Sequence, residues 1–232
     1  MAEAYTPVAL SPIRKVIAAR MEEAARTIPH FRASADIEVD ALMGLRSEVC
    51  RQRPDQLSLN DFLIKACAGA LLETPEINIQ WGGTEIRRYS SADISIVTAL
   101  AGGGLSTPII RDADSKSIWE IAREVRELGA RAARNALRTD EIFGGSFSIS
   151  NLGMHGVDQF DAIINAPQCA ILAIGRAARQ VLVSQEGAPR IATVLRATLS
   201  VDHRALDGTV AAAFLAAFRR GVEQPQCLLR EW

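Results

Sequence analysis

His203 is the residue from which a chemical reading of this chain starts. The stretch Leu199-Ser-Val-Asp-His-Arg-Ala-Leu-Asp-Gly208 places an imidazole, two carboxylates and a guanidinium between two apolar runs. An imidazole can act as a base near neutral pH without a large shift in its pKa. Asp207 follows it at the fourth position and a turn-permitting glycine, Gly208, comes next. Residues 192–201 read as a β-branched strand and residues 209–218 as an alanine-rich helix. A strand-to-helix junction can hold a side chain rigidly at the mouth of a site. A lone histidine beside a strand is more often a structural residue, so the rest of the chain must decide.

A second stretch with chemical content is Phe143-Gly-Gly-Ser-Phe-Ser-Ile-Ser-Asn-Leu-Gly-Met154. Phe147 and Ile149 alternate with Ser146, Ser148 and Ser150, and alternation alone turns the three serines to solvent. No G-x-S-x-G elbow surrounds them, which disfavours a serine-hydrolase triad. The glycines at 102–104 precede neither a lysine at P-loop spacing nor a helix, so a phosphate loop is rejected. The three histidines lie far apart without zincin spacing, so no metal site is expected.

The elements that must position these residues are legible in outline. Ser11-Pro12 opens a helix whose face carries Ile13, Val16, Ile17, Arg20 and Met21. Ile28-Pro-His-Phe31 begins a long extended segment, in which His30 reads as structural. Asp40, as cap, starts a helix to Cys50, and a largely buried helix follows from Leu57 and ends before Pro75. Short strands are expected at 77–81, 86–89, 93–100 and 107–111, then an amphipathic helix over 117–134. Gln180–Ser184 and Ile191–Val201 read as a hairpin about Glu186-Gly187 that delivers His203.

The whole chain bounds the class of protein. Its 232 residues, 48% of them hydrophobic, fit one domain over 1–232 with an ample core. A net charge of −1 gives no general case for nucleic acid or anionic membrane as partner. No apolar run reaches a membrane-spanning length, and no basic-then-apolar leader opens the chain. The four cysteines form no C-x-x-C pair, as expected of free thiols in the cytoplasm.

The string Asp202-His-Arg-x-x-Asp-Gly208 resembles the active-site motif of the dihydrolipoamide acyltransferases, the cores of 2-oxo-acid dehydrogenase complexes. The shorter His-x-x-x-Asp-Gly is also that of chloramphenicol acetyltransferase, which shares their fold. Residues 14–39, Ser58-Leu-Asn-Asp-Phe62, Gly104-Leu-x-x-Pro108, Gly144-Gly-x-Phe-x-x-Ser-Asn151 and Asn165-x-Pro167 are similar to further strings of the family.

The resemblance implies an α/β fold of the α+β two-layer kind: a chloramphenicol acetyltransferase-like mixed sheet with helices on one side, assembled as a homotrimer. It implies transfer of an acyl group, most like the acetyl members, between dihydrolipoamide and coenzyme A. His203 takes the place of the general base and Ser150 that of the oxyanion donor. Asp207 matches a mainly architectural aspartate that pairs with a basic residue near the domain's start, here Arg14. Arg46, Ser58 and Asn151 match coenzyme A contacts. Acetyl-coenzyme A is then a substrate, and the lipoyl group comes from a separate domain or protein. Other dehydrogenase complex subunits would be partners.

Full-length members carry lipoyl and peripheral-subunit-binding domains, and neither is expected in these residues. Leu100 stands where branched-chain members have an acidic residue, which leans against branched-chain acyl groups or makes this part of the coenzyme A site different. Leu228-Leu229 is followed by Arg-Glu-Trp232, so a cubic or dodecahedral shell built on an apolar C-terminus stays open. The rivals are a free-standing acyl-coenzyme A transferase with another acceptor and a non-catalytic assembly scaffold.

Overall fold

Serine caps and prolines start the helices much where the sequence predicts. The computed structural model describes residues 5–53, 57–100 and 104–229. Helix α1 (Pro12–Thr27) has Ser11 as N-cap, its side chain accepting the Arg14 N–H. Strand β1 (His30–Glu38) leads into α2 (Asp40–Gln52). Asp40 does not cap α2: Val39 holds that position. The Asp40 carboxylate instead accepts the Thr193 N–H at 2.7 Å, a bond to a distant strand that only the folded chain supplies. Helix α3 (Leu59–Glu73) starts with a reciprocal capping box between Ser58 and Asp61, a device that satisfies two otherwise orphaned N–H groups.

Strands β2 (Ile79–Trp81), β3 (Ile86–Arg88), β4 (Ile94–Ile96), β5 (Thr98–Ala99), β6 (Leu105–Ser106) and β7 (Ile109–Ile110) come next. The single strand expected over 93–100 therefore divides. Residues 94–96 pair into the main sheet, while 98–99 leave it to pair with β6. Pro108 has no N–H to give a ladder, and it separates β6 from β7 while its carbonyl accepts the Ile96 N–H. Helix α4 (Ile118–Ala132) opens with a second capping box, Ser117 with Glu120. Then follow β8 (Phe147–Asn151), β9 (Ala170–Ile174), β10 (Ala178–Val183), β11 (Pro189–Asp202) and α5 (Gly208–Glu223).

The main sheet runs β1-β11-β9-β8-β4-β7, with β10 also on β11. The β9–β8 and β8–β4 pairs are parallel and the rest antiparallel, so the sheet is mixed as expected. Its two faces differ chemically, because side chains alternate along each strand. Ile94, Phe147, Ile149, Leu172, Leu199 and Val201 face one way and form the main core with residues of α2, α3, α4 and α5. Ser95, Ser148, Ser150, Thr198 and Ser200 face the other way. Helix α1 lies on that second face, where Ala24 and Ile28 join Ile171 and Ala173 in a small separate core. Four helices thus share one side, and α1 stands apart from them.

Candidate active site

Ser146, just before β8, and Ser148 and Ser150 on it share the polar face, and none of the three turns to solvent. Alternation predicts direction but not what covers a face. Here the cover is a buried amide: Ser148 Oγ donates to Gln168 Oε1 at 2.5 Å. Gln168 Nε2 donates to Ser95 Oγ and to the Gly145 carbonyl, each at 3.0 Å. A Cβ at Gly145 would lie 2.3 Å from Ser95 Oγ, so the close approach of this loop to the network requires glycine. Ser146 exchanges its contacts with the Asp93 backbone. The loop before β8 is held by Arg111, which pairs with Asp93 at 2.6 Å and donates to the carbonyls of Asp140, Phe143 and Gly144.

Ser150 is the exception. Its hydroxyl has no partner among the described residues, and it lines a cavity of about 600 Å³. Ile13, Val16, Ile17, Arg20 and Met21 of α1 form one wall, which is the apolar face read from the sequence. Leu100, Phe143 and Asn165 also border it. The Arg20 guanidinium lies 5.2 Å from the centre of the Phe143 ring. A hydroxyl free to donate into a mostly apolar recess is suited to stabilising a developing negative charge.

His203 follows the last residue of β11, and its ring is exposed. Its N–H donates to the Pro29 carbonyl at 3.0 Å, and its ring packs on Phe31 with centroids 5.1 Å apart. Both ring nitrogens lack a partner among the described residues, so either is open to accept a proton. His203 does not border the Ser150 cavity. Ser150 pairs with Ala173, and Ala173 with Thr198, five positions before His203. Two strand spacings and five residues of rise put the two roughly 19 Å apart in one chain.

Asp207 is the N-cap of α5, with no capping bond from its side chain. The expected Arg14–Asp207 pair does not form within the chain. The sheet lies between them, with α1 on the polar face and α5 on the apolar one. Gly208 begins α5 without a left-handed φ; a Cβ there would meet Phe31 at 3.5 Å. Asp202 is buried and ion-paired to Arg204. His30 is structural too. Its Nε2 accepts the Ile164 N–H at 3.1 Å, so its Nδ1 carries the proton donated to the Ile28 carbonyl at 2.8 Å.

The three residues expected at coenzyme A come together around the start of α3. Arg46 Nε donates to the Leu57 carbonyl at 2.6 Å. Ser58 is the exposed N-cap of α3. Asn151 Nδ2 donates to Asn60 Oδ1 at 3.2 Å. A guanidinium, a hydroxyl, an amide and a helix N-terminus converging on one surface suit a phosphorylated ligand. No group of three or more His, Cys, Asp or Glu that could hold a metal ion occurs among the described residues.

Sequence reading missed Gln168, Arg111 and Lys65. Lys65 is buried in α3, and its ammonium donates to the carbonyls of Asp114 and Lys116 at 2.7 and 2.6 Å. A charged residue within an apolar helix was the available signal, but its partners lie about fifty positions away.

Comparison with known proteins bears on the family and the fold. Residues 2–230 match the family model of the 2-oxoacid dehydrogenases acyltransferase catalytic domain. The chain is 42% identical over 231 residues to the dihydrolipoyllysine-residue acetyltransferase component of the Rickettsia felis pyruvate dehydrogenase complex. That alignment covers 98% of this chain and 56% of the relative, so the chain spans about half the length of the curated relative. Among solved structures, it resembles Azotobacter vinelandii dihydrolipoamide acetyltransferase at a TM-score of 0.92 and 28% identity, covering 99% of this chain and 96% of the other. That protein was studied for the role of a serine, a histidine and an asparagine in its catalytic mechanism. Chloramphenicol acetyltransferase shares the fold, at a TM-score of 0.52 and 16% identity over 91% of this chain and 94% of the other. The chain belongs to the catalytic-domain family of the 2-oxoacid dehydrogenase acyltransferases.

Proposed function

We propose that this chain transfers an acetyl group between coenzyme A and dihydrolipoamide, and that the site forms between copies of the chain. The observation that carries the reading is the pair of unpartnered groups at the two ends of the sheet. Ser150 faces a cavity and His203 faces solvent, too far apart to act on one carbonyl in a single subunit. A base must come within about 3 Å of the proton it takes. A homotrimer that brings His203 of one copy to the Ser150 cavity of the next satisfies this requirement.

A thiol of pKa ~8.5 is mostly protonated at neutral pH. In the proposed reaction His203 removes that proton, and the thiolate attacks the thioester carbonyl. The carbonyl oxygen takes up the negative charge and accepts a hydrogen bond from Ser150 Oγ. When the tetrahedral species collapses, the carbon–sulfur bond of the original thioester breaks, and the imidazolium gives its proton to that departing sulfur. General-base help is worth on the order of 100- to 10,000-fold. The oxyanion donor is worth about 100-fold or more. Arg46, Ser58 and Asn151 would hold coenzyme A; the lipoyl group would arrive on a separate domain or protein. Asp207 supports the His203 turn from the start of α5 rather than touching substrate. The proposal places the protein in the cytoplasm, in a dehydrogenase complex; its four cysteines are free, and no described helix is long and apolar enough to cross a membrane.

The deciding experiment is acyl transfer from acetyl-coenzyme A to free dihydrolipoamide, with His203→Ala as control. Turnover that disappears in the variant is expected. Silence with acetyl-, succinyl- and isobutyryl-coenzyme A alike would overturn the reading.

A further inference from the structure

We propose that Asp202, Arg204 and Trp81 form a clamp that fixes the direction of the His203 imidazole, making Arg204 a positioning residue for acyl transfer. This rests on the reading of His203 as the base. Asp202, the last residue of β11, is 1% exposed. Its Oδ1 accepts the Arg204 backbone N–H at 3.0 Å and Arg204 Nε at 2.9 Å. Its Oδ2 accepts Arg204 Nη2 at 2.6 Å. The two neighbours of His203 are therefore bonded to each other through backbone and side chain, and His203 is the apex of the loop they close.

Further bonds stiffen the same turn. The Asp202 carbonyl accepts the Ala205 and Leu206 N–H groups, each at 3.0 Å. The guanidinium lies 4.7 Å from the centre of the Trp81 ring, and the Trp81 N–H is held by the Pro167 carbonyl at 2.8 Å. Arg204 thus links the turn to β2, an element outside the main sheet. Phe31 limits the ring of His203 on another side.

The residue types fit this role. A buried carboxylate is costly unless its charge is cancelled and its lone pairs are occupied. A planar guanidinium does both with parallel bonds and stacks on an indole, whereas a lysine ammonium is a point charge that does neither. A second titratable group near Asp202 is the Cys169 thiol, which burial and this carboxylate push up to about 12; His30 stands opposite it in the sheet, and Arg20 and Glu23 border the same recess. The thiol stays neutral, and Arg204 is the cation ion-paired to Asp202. A base whose ring points one way must reach a thiol proton held at a neighbouring copy's cavity, and a displacement near 1 Å can cost about a hundredfold in rate.

The test uses the assembled protein and Arg204→Lys, which keeps the charge and loses the fork. The expected result is an intact oligomer with kcat about ten- to a hundredfold lower and KM for coenzyme A within about twofold. In ring-labelled protein, the His203 signal should move while those of His30 and His155 stay. If Arg204→Lys does not fold, Trp81→Leu carries the same readouts. An unmoved His203 signal overturns the clamp, as does a change in KM alone. Wild-type protein without turnover would sink the acyl-transfer reading and leave the imidazole signal to decide the clamp.

Discussion

Ser150 and His203 lie on one sheet, the first opposite Ala173 on β9 and the second just past the end of β11, and no strand brings them together within the chain. Activity should therefore complement between subunits. His203→Ala and Ser150→Ala chains, each nearly silent alone, should regain activity when co-expressed. With random assembly, about a quarter of sites receive both groups, so about a quarter of wild-type turnover is expected. Mixed oligomers with no more turnover than the single variants would place the site within one chain.

Arg46→Ala should raise KM for coenzyme A about tenfold or more with kcat little changed. A guanidinium–phosphate contact is worth about 1.5–3 kcal/mol, and it holds ground state and transition state alike. Steady-state kinetics at fixed dihydrolipoamide checks this. A fall in kcat at constant KM would remove Arg46 from the coenzyme site.

Gln168→Leu should cost about 3 kcal/mol of stability. It leaves Ser148 and Ser95 without their buried partner, while the Gly145 carbonyl keeps the Gln80 amide at 2.9 Å. Because Ser148 precedes Ser150 by one strand repeat, residual activity should fall as well. Urea unfolding measures the first effect. A midpoint within error of wild type would mean that water replaces the amide.

Cys169 should resist alkylation in the folded protein. Burial, followed by the Asp202 carboxylate, pushes its pKa up to about 12, and burial pushes the Cys67 thiol well up. The reactive thiolate forms only as pH rises toward the pKa, so at pH about 8 the thiolate fraction of Cys169 is on the order of one in ten thousand. Iodoacetamide followed by peptide mass analysis should leave Cys67 and Cys169 unmodified until the protein is denatured. Rapid labelling of Cys169 at that pH would contradict its environment.

The amino-acid sequence by itself determined the local elements and the chemistry available. Ser11, Ser58 and Ser117 start helices because a hydroxyl beside an apolar periodic run satisfies free N–H groups without help from elsewhere. The face of α1 that lines the Ser150 cavity was legible in its spacing, and so was the β11–α5 junction that presents His203. Asp40 misled because its partner, the Thr193 N–H, is 153 positions away, beyond the reach of any local rule. The serines of β8 misled because alternation gives two faces without saying what lies over each; Gln168 and α1 decided that. The Arg14–Asp207 pair does not form within one chain because the sheet separates two helices that the sequence leaves unplaced. Only the tertiary structure showed that one chain keeps Ser150 and His203 apart, since strand order and register are long-range properties of the sheet.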